Sequence, residues 1–297
     1  MSGRVLVTGG TGFIGRALLP LLAGRAEVVA LHRGGEPPPG PPGVTWVRRD
    51  LSAPDWDTGG LPPVESVVHL AQSLRYREFP AGAADVFQVN LGATERLLEW
   101  ARACGARRFV LASSGGHDAT REALDGPLPP PGALGHYLAS KRAAELVAAS
   151  WSGQLTVAVL RFYFVYGAGQ RPAMLISRLA RAVAAGQEVT LQGAHGLRLN
   201  PLHVSDAARA LLAALELDQG ARIAVAGPET LSLRQVGEEL GRQLGTPPRF
   251  KVLDEPAPTH LVGDVSLMTR LLGAPRTRFA EGVAEVCREA RATPERS

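Results

Sequence analysis

Val7-Thr8-Gly9-Gly10-Thr11-Gly12-Phe13-Ile14-Gly15 decides how the rest of this chain is read. It follows a short apolar run, Arg4–Val7, with the character of a strand, and runs into Phe13–Ala23, where apolar residues recur at helical spacing. Gly9, Gly12 and Gly15 stand three residues apart between the two. In such a corner one glycine permits the tight turn, the next lets the backbone approach a pyrophosphate, and the last lets helix and strand lie close. The helix start then offers unpaired N–H groups and the positive end of its dipole to the phosphates. The stretch predicts a dinucleotide site, with Gly9, Thr11, Gly12, Phe13, Ile14 and Gly15 around the cofactor.

Beyond this corner the same alternation continues. Glu27–Leu31, Val44–Val47, Ser66–His69, Arg108–Ser113 and Leu155–Arg161 read as strands. Ala84–Cys104 and His136–Ala149 read as amphipathic helices. Gly34–Gly43, with five prolines, and Gly126–Gly135 read as loops. Strand–helix alternation implies parallel strands joined by right-handed crossovers. The near-continuous apolar runs Val67–Leu70 and Phe109–Ala112 suit strands covered on both faces. After Gly167 the rhythm loosens. Helices are expected at Pro172–Ala185, Ser205–Leu217, Leu233–Leu244 and Ala280–Ala292, with short strands near Val189–Leu191, Leu202–Val204 and Arg222–Val225. The expected architecture is an α/β, Rossmann-type doubly wound parallel sheet over residues 1–166. A smaller mixed substrate lobe follows over 167–297, with some segments near 196–226 returning to the first domain.

The chain has 297 residues, 45% of them hydrophobic, and a formal net charge of +4. A packed core is feasible at that composition. The arginines are spread along the chain instead of forming a dense basic stripe, which argues against a nucleic-acid partner. Cys104 and Cys287 lie far apart without neighbouring ligands, so neither a disulfide framework nor a metal site is expected. No apolar run is long enough to span a bilayer. With the first strand beginning near Arg4, no signal peptide is expected and the expected location is cytoplasmic.

Within the strand–helix frame two further features carry chemistry. At the end of the second strand, NAD-preferring sites usually hold a carboxylate for the ribose hydroxyls. Here Leu31-His32-Arg33 stands instead, so nothing repels a 2′-phosphate and Arg33 can bind one. NADP is therefore favoured over NAD. Tyr137 and Lys141, four residues apart on one helix, share a face. A nearby ammonium favours the phenolate, letting Tyr137 move a hydroxyl proton while hydride passes to or from a nicotinamide. Ser114, at the end of the strand before it, is placed to hydrogen-bond the substrate oxygen, because ligands sit at strand ends in such sheets.

Taken together, these residues resemble an extended short-chain dehydrogenase/reductase of the NAD-dependent epimerase/dehydratase type, and the likeness runs along nearly the whole chain. The resemblance implies an adenine contact from Asp50, with Leu51 beside it. It implies cofactor contacts from Leu70 and Ala71 within Val68–Ala71, and a structural role for Asn90. It implies a catalytic set of Ser114, Tyr137 and Lys141, with Lys141 also holding the nicotinamide ribose. Arg161–Gly167 resembles the crossing to the substrate lobe, which implies Tyr163 and Phe164 near the nicotinamide. His203-Val204-Ser205-Asp206 resembles the family's His-Val-x-Asp motif. The likeness also implies a homodimer built from Ala84–Cys104 and His136–Ala149.

The departures narrow the activity. Gly115 and Gly116 stand where the family's sugar dehydratases resemble one another in an Asp-Glu pair, which disfavours 4,6-dehydration. No cysteine follows Ser114, which disfavours C3/C5 epimerisation. Phe162 and Ala168 replace prolines of the pattern. Gln72, Ser73, Arg75 and Tyr76 follow the fourth strand and are expected along the substrate cleft. Arg171, Arg178 and Arg198 are candidates to hold a diphosphate, with Arg198 first. The expected activity is a nucleotide-sugar 4-epimerase or ketoreductase. The alternatives are a reductase of a non-sugar carbonyl and an NADP(H)-sensing protein without turnover.

Overall fold

In the computed structural model, residues 3–36, 39–116, 134–255 and 259–292 are described. The first unit comprises residues 1–161 and 208–223, and the second 162–207 and 224–297.

The first unit begins with β1 (Arg4–Thr8), α1 (Phe13–Ala23), β2 (Glu27–His32), β3 (Val44–Arg48) and β4 (Ser66–His69). After α2 (Ala83–Phe87) comes one turn of π-helix, Gln88–Gly92, then α3 (Ala93–Ala103), β5 (Arg108–Ser114), α4 (Gly135–Ser150) and β6 (Thr156–Phe162). Further along the chain, β7 (Val165–Tyr166), α5 (Leu175–Ala184), β8 (Glu188–Gln192), β9 (Arg198–Leu199), β10 (Leu202–His203), α6 (Val204–Ala214) and β11 (Ala221–Val225) follow. Seven strands form one sheet in the order β11-β6-β5-β4-β1-β2-β3. β1 pairs in parallel with both β2 and β4, β2 with β3, and β4 with β5. The chain order reverses between β1 and β4, the place where a doubly wound sheet leaves a crevice at its carboxyl edge. All four residues of β4 are buried, as the unbroken apolar run demands. Leu97, Leu98 and Ala101 of α3 and Ala144 and Ala148 of α4 pack with Phe109, Leu111, Val157 and Val159 into one core.

The second unit adds β12 (Leu231–Ser232), α7 (Leu233–Leu244), β13 (Arg249–Leu253), α8 (Ser266–Leu272) and α9 (Phe279–Ala292). α5, α7 and α9 pack on one another around Ile176, Val183, Leu240, Val283 and Val286. β13 joins β8 in parallel and β12 joins β9 antiparallel. α7 opens with a capping box: Ser232 accepts from the Gln235 amide, and the Gln235 side chain accepts from the Ser232 amide. The strand Arg249–Leu253 and the helix Ser266–Leu272 are not anticipated by the sequence pattern.

One expected element differs in kind. The helix read at Ala84–Cys104 is broken by the π turn at Gln88–Gly92. A π turn inserts an extra residue and re-aims the side chains that follow. Here it carries Asn90, 2% exposed, whose Oδ1 accepts from the Ser73 amide at 3.1 Å while Nδ2 donates to Ser140 Oγ at 2.9 Å.

Candidate functional site

At the corner between β1 and α1, Gly9 adopts φ 69°, a conformation that side chains rarely accept. A Cβ there would lie 2.8 Å from the Ala71 amide nitrogen. A Cβ on Gly15 would lie 2.3 Å from the Gly9 carbonyl oxygen. Gly12 caps α1 without a side-chain hydrogen bond, and the first turn holds no carboxylate. The helix start therefore keeps its amide donors and its dipole uncompensated by the protein's own side chains. That is the donor set a pyrophosphate requires, so the corner fits a dinucleotide.

The floor of the crevice is pinned by Thr8. Its buried hydroxyl accepts from the Ala71 amide at 3.1 Å and lies 2.6 Å from His69 Nδ1. His69 is 1% exposed, and burial, with Lys141 adding to it, lowers its pKa to about 3. The imidazole is neutral across the physiological range.

The turn after β4, the end of β5 and the helix α4 bring Gln72, Ser114, Tyr137 and Lys141 together. Tyr137 Oη donates to Gln72 Oε1 at 3.2 Å. The ring of Tyr76 tilts against the phenol ring with centroids 5.1 Å apart. Burial pushes the Tyr137 phenol up to about 12, opposed by hydrogen bonding to Ser114. Ser114 Oγ also accepts from the Gly116 amide at 3.2 Å. Lys141, 4% exposed, donates to the Ala112 carbonyl at 3.1 Å, and burial brings its pKa down to about 8. The expected lowering of the phenol by the ammonium is not what governs this site. Burial of the phenol comes first among the causes of its shift, and the ammonium is turned onto a strand carbonyl.

Asn90 ties this set down. Ser140 Oγ, which receives the Asn90 amide, itself donates to the Tyr137 carbonyl at 2.7 Å. Ser73, read as a substrate contact, is 1% exposed; its hydroxyl donates to Asp85 and accepts from the Arg75 amide. That side chain is spent on shaping the turn after β4, which leaves Gln72 as the neighbour that reaches the phenol. The structural need for Asp85 was not visible in sequence.

The remaining candidates make contacts of their own. Asp50 Oδ1 accepts from both the amide and the hydroxyl of Ser52, at 3.0 and 2.6 Å, and Leu51 is buried. Arg33 is exposed after β2 and has no ion-pair or hydrogen-bond partner among the described residues. His32, 9% exposed, keeps Nδ1 buried without a hydrogen-bond partner among the described residues and meets Trp46 edge to face at 6.1 Å. In the second unit, Phe164 holds φ 41°, an uncommon conformation for a residue with a side chain. Arg171, Arg178 and Arg198 are exposed there. Arg198 lies on β9, where its amide meets His260 Nδ1 at 3.3 Å and the next residue, Leu199, is fully buried. Asn200, missed in sequence, brackets Gly263 with two hydrogen bonds of 2.9 and 3.0 Å. Most of the loop Gly126–Gly135 lies outside the described residues. Among the described residues no group of three His, Cys, Asp or Glu side chains is arranged to hold a metal ion, and no helix is long and apolar enough to cross a membrane.

Comparison with known proteins matches residues 5–227 to the model of the NAD dependent epimerase/dehydratase family. The chain is 34% identical to a 3-diazoavenalumate denitrifying reductase of a Streptomyces species, over 82% of this chain and 83% of that protein. It is 29% identical to a dTDP-glucose 4,6-dehydratase of Streptomyces niveus, over 95% of this chain and 91% of that protein. Among solved structures it resembles MoeE5 in complex with UDP-glucuronic acid and NAD, with a TM-score of 0.79 and 30% identity, covering 98% of this chain and all of that one.

Proposed function

The chain belongs to the NAD dependent epimerase/dehydratase family, and from that premise we propose that it is a nucleotide-sugar 4-epimerase or ketoreductase in which Tyr137 is the acid/base. The observation that carries the reading is the convergence of Ser114, Tyr137, Lys141 and Gln72 at the carboxyl ends of β4 and β5, beside a glycine corner shaped for a dinucleotide. The cofactor, once bound at that corner, supplies hydride transfer. What this chain supplies is proton handling and placement. Ser114 orients the substrate oxygen. Tyr137, with a pKa pushed up to about 12, is a neutral phenol in the free protein and stands ready as a proton donor. Lys141 contributes an ammonium for the nicotinamide ribose. Gly9, Thr11, Gly12, Phe13, Ile14 and Gly15 hold the pyrophosphate, with Asp50, Leu51, Leu70, Ala71 and Phe164 along the rest of the cofactor.

For the substrate, Gln72 lies nearest the reacting proton, and Arg171 and Arg198 are offered as anchors for a diphosphate. Gly115 and Gly116 provide no carboxylate, so water elimination is not part of the proposal despite the 29% identity to a dehydratase. A second reading is reduction of a non-sugar carbonyl; the 34% identity to the diazoavenalumate denitrifying reductase speaks for the non-sugar substrate alone. NADP preference rests on Arg33, exposed where a carboxylate would select NAD. A homodimer formed through Ala84–Cys104 and His136–Ala149 is supported by the exposure of Phe87 on α2 and Leu146 on α4, at 54% and 61%.

Tyr137→Phe tests the acid/base role. The variant is expected to bind cofactor normally and to lose turnover on a panel of nucleotide sugars by about a hundredfold or more. Activity within a few-fold of the parent would overturn the proposal. Consumption of NADPH with each turnover separates the reductase from the epimerase. Arg33→Ala is expected to weaken NADPH binding more than NADH binding; equal losses would remove Arg33 from the 2′-phosphate.

A further inference from the structure

Lys141 is one of two lysines in the chain, the other being Lys251; every other basic side chain of this type is an arginine. Glu145 follows Lys141 by four residues on α4, which puts both on one helix face. Glu145 is 1% exposed. Its carboxylate receives Arg161 Nε at 3.0 and 3.1 Å and Arg161 Nη2 at 2.7 Å. It also receives Arg222 Nε at 3.2 Å. Arg161 lies in β6 and Arg222 in β11, its neighbour in the sheet. A single bidentate guanidinium neutralises a buried carboxylate. Here a second guanidinium shares it, and a buried ammonium lies one turn away on the same helix.

We propose that Glu145, buried one turn along α4 from Lys141, is a positioning residue that keeps Lys141 an ammonium where it reaches the Ala112 carbonyl, with Arg161 and Arg222 setting how much of the carboxylate's charge Lys141 experiences. The proposal deepens the functional reading above and rests on it for the role of Lys141. The other polar and charged groups of the elements around α4 do not supply that charge. Tyr137, on the same helix, is a neutral phenol, and His69 on β4 is a neutral imidazole. The π turn presents the uncharged Asn90. Asp85 of α2 is engaged by Ser73, and Glu95 of α3 by the Trp151 indole. Arg108 of β5 is paired with Glu65 and Asp218. Burial alone drives the ammonium toward neutrality, and Glu145 is what opposes it.

Two lysines make the test direct. Protein carrying 13C at lysine Cε gives two resonances, with exposed Lys251 as an internal control, and their midpoints are followed from about pH 6 to about pH 10.5. Glu145→Gln is expected to lower the Lys141 midpoint by about one pH unit or more. Arg222→Met is expected to raise it, because it frees carboxylate charge and removes a competing cation. Lys251 stays put in both. Opposite shifts from two variants of one cluster are not produced by loosened packing. If Glu145→Gln does not fold, Arg222→Met decides alone, since Arg222 is 45% exposed and removable. A Lys141 midpoint unmoved in Arg222→Met would overturn the proposal. Failure of the functional reading is separate: NAD absent from the corner, or Tyr137→Phe fully active, leaves the titration result standing.

Discussion

Replacing Gly15 by alanine tests whether α1 is seated by the absence of a side chain. The added Cβ would lie 2.3 Å from the Gly9 carbonyl oxygen and 2.7 Å from both Cα and the carbonyl oxygen of Gly10. All three obstacles are backbone, so no rotamer change relieves them. Non-bonded carbons settle near 3.5–4.0 Å, so the helix start must lift by about 1 Å. Leu18, Leu19 and Leu22, exposed by 0, 2 and 0%, move with it. Overpacking of this kind costs about 2–3 kcal/mol, and in a protein of this size that lowers the thermal midpoint by about 4–12 °C. Gly24→Ala is the matched control. That glycine, with φ −80°, has nothing within 4 Å of an added Cβ, and the change is expected to be silent within about 0.5 kcal/mol. Scanning calorimetry with and without NAD gives both numbers, and isothermal titration gives the affinity, which is expected to fall in Gly15→Ala as the amide donors leave the corner. A Gly15→Ala protein with parental stability and parental NAD affinity would refute the close-approach argument.

Other outcomes follow from buried polar groups. His69, with its pKa lowered to about 3 in the folded protein, stays neutral where the unfolded imidazole takes a proton below about 6.5. The unfolded chain therefore binds more protons between those values, so the contribution of His69 is complete above about pH 6.5 and is lost as pH falls toward 3. Urea midpoints measured from pH 7 to pH 4 should drop more steeply in the parent than in a folded His69→Gln variant, and parallel slopes would contradict this. Asp206, 2% exposed, accepts from the amides of Arg276 and Thr277 at 2.9 Å each. Asp206→Ala strands both donors and is expected to cost about 2–4 kcal/mol in urea unfolding; a loss under about 0.5 kcal/mol would show that water replaces the carboxylate.

The parts of the fold legible in sequence are those specified locally. Gly12 and Gly15 are constrained by neighbours a few residues away, whereas the obstacle at Gly9 is the distant Ala71, and β4 and β5 announce burial by near-continuous apolar runs. The limits of α7 were readable for the same reason: Ser232 and Gln235 cap it from within, and Gly245 ends it at φ 68°. The π turn was not readable, because what holds it is Asn90 bonding to Ser73 and Ser140, 17 and 50 residues away. Asn200 and Gly263 are separated by 63 residues for the same bracket. Spacing placed Tyr137 and Lys141 on one helix face, but it carries no information on desolvation, which is the first cause of the raised phenol pKa in the free protein. Ser73 shows the converse: a hydroxyl adjacent to the cleft in sequence, committed to Asp85 and the Arg75 amide in three dimensions.

The hydroxyl of Thr8 couples the ends of two strands that chain connectivity leaves 63 residues apart. With one oxygen shared between the Ala71 amide and the His69 ring, β1 and β4 cannot part at their tips without stranding buried polar atoms. The two strand tips are thus clamped together at the corner, and any adaptation there has to come from side chains and loops beyond the sheet.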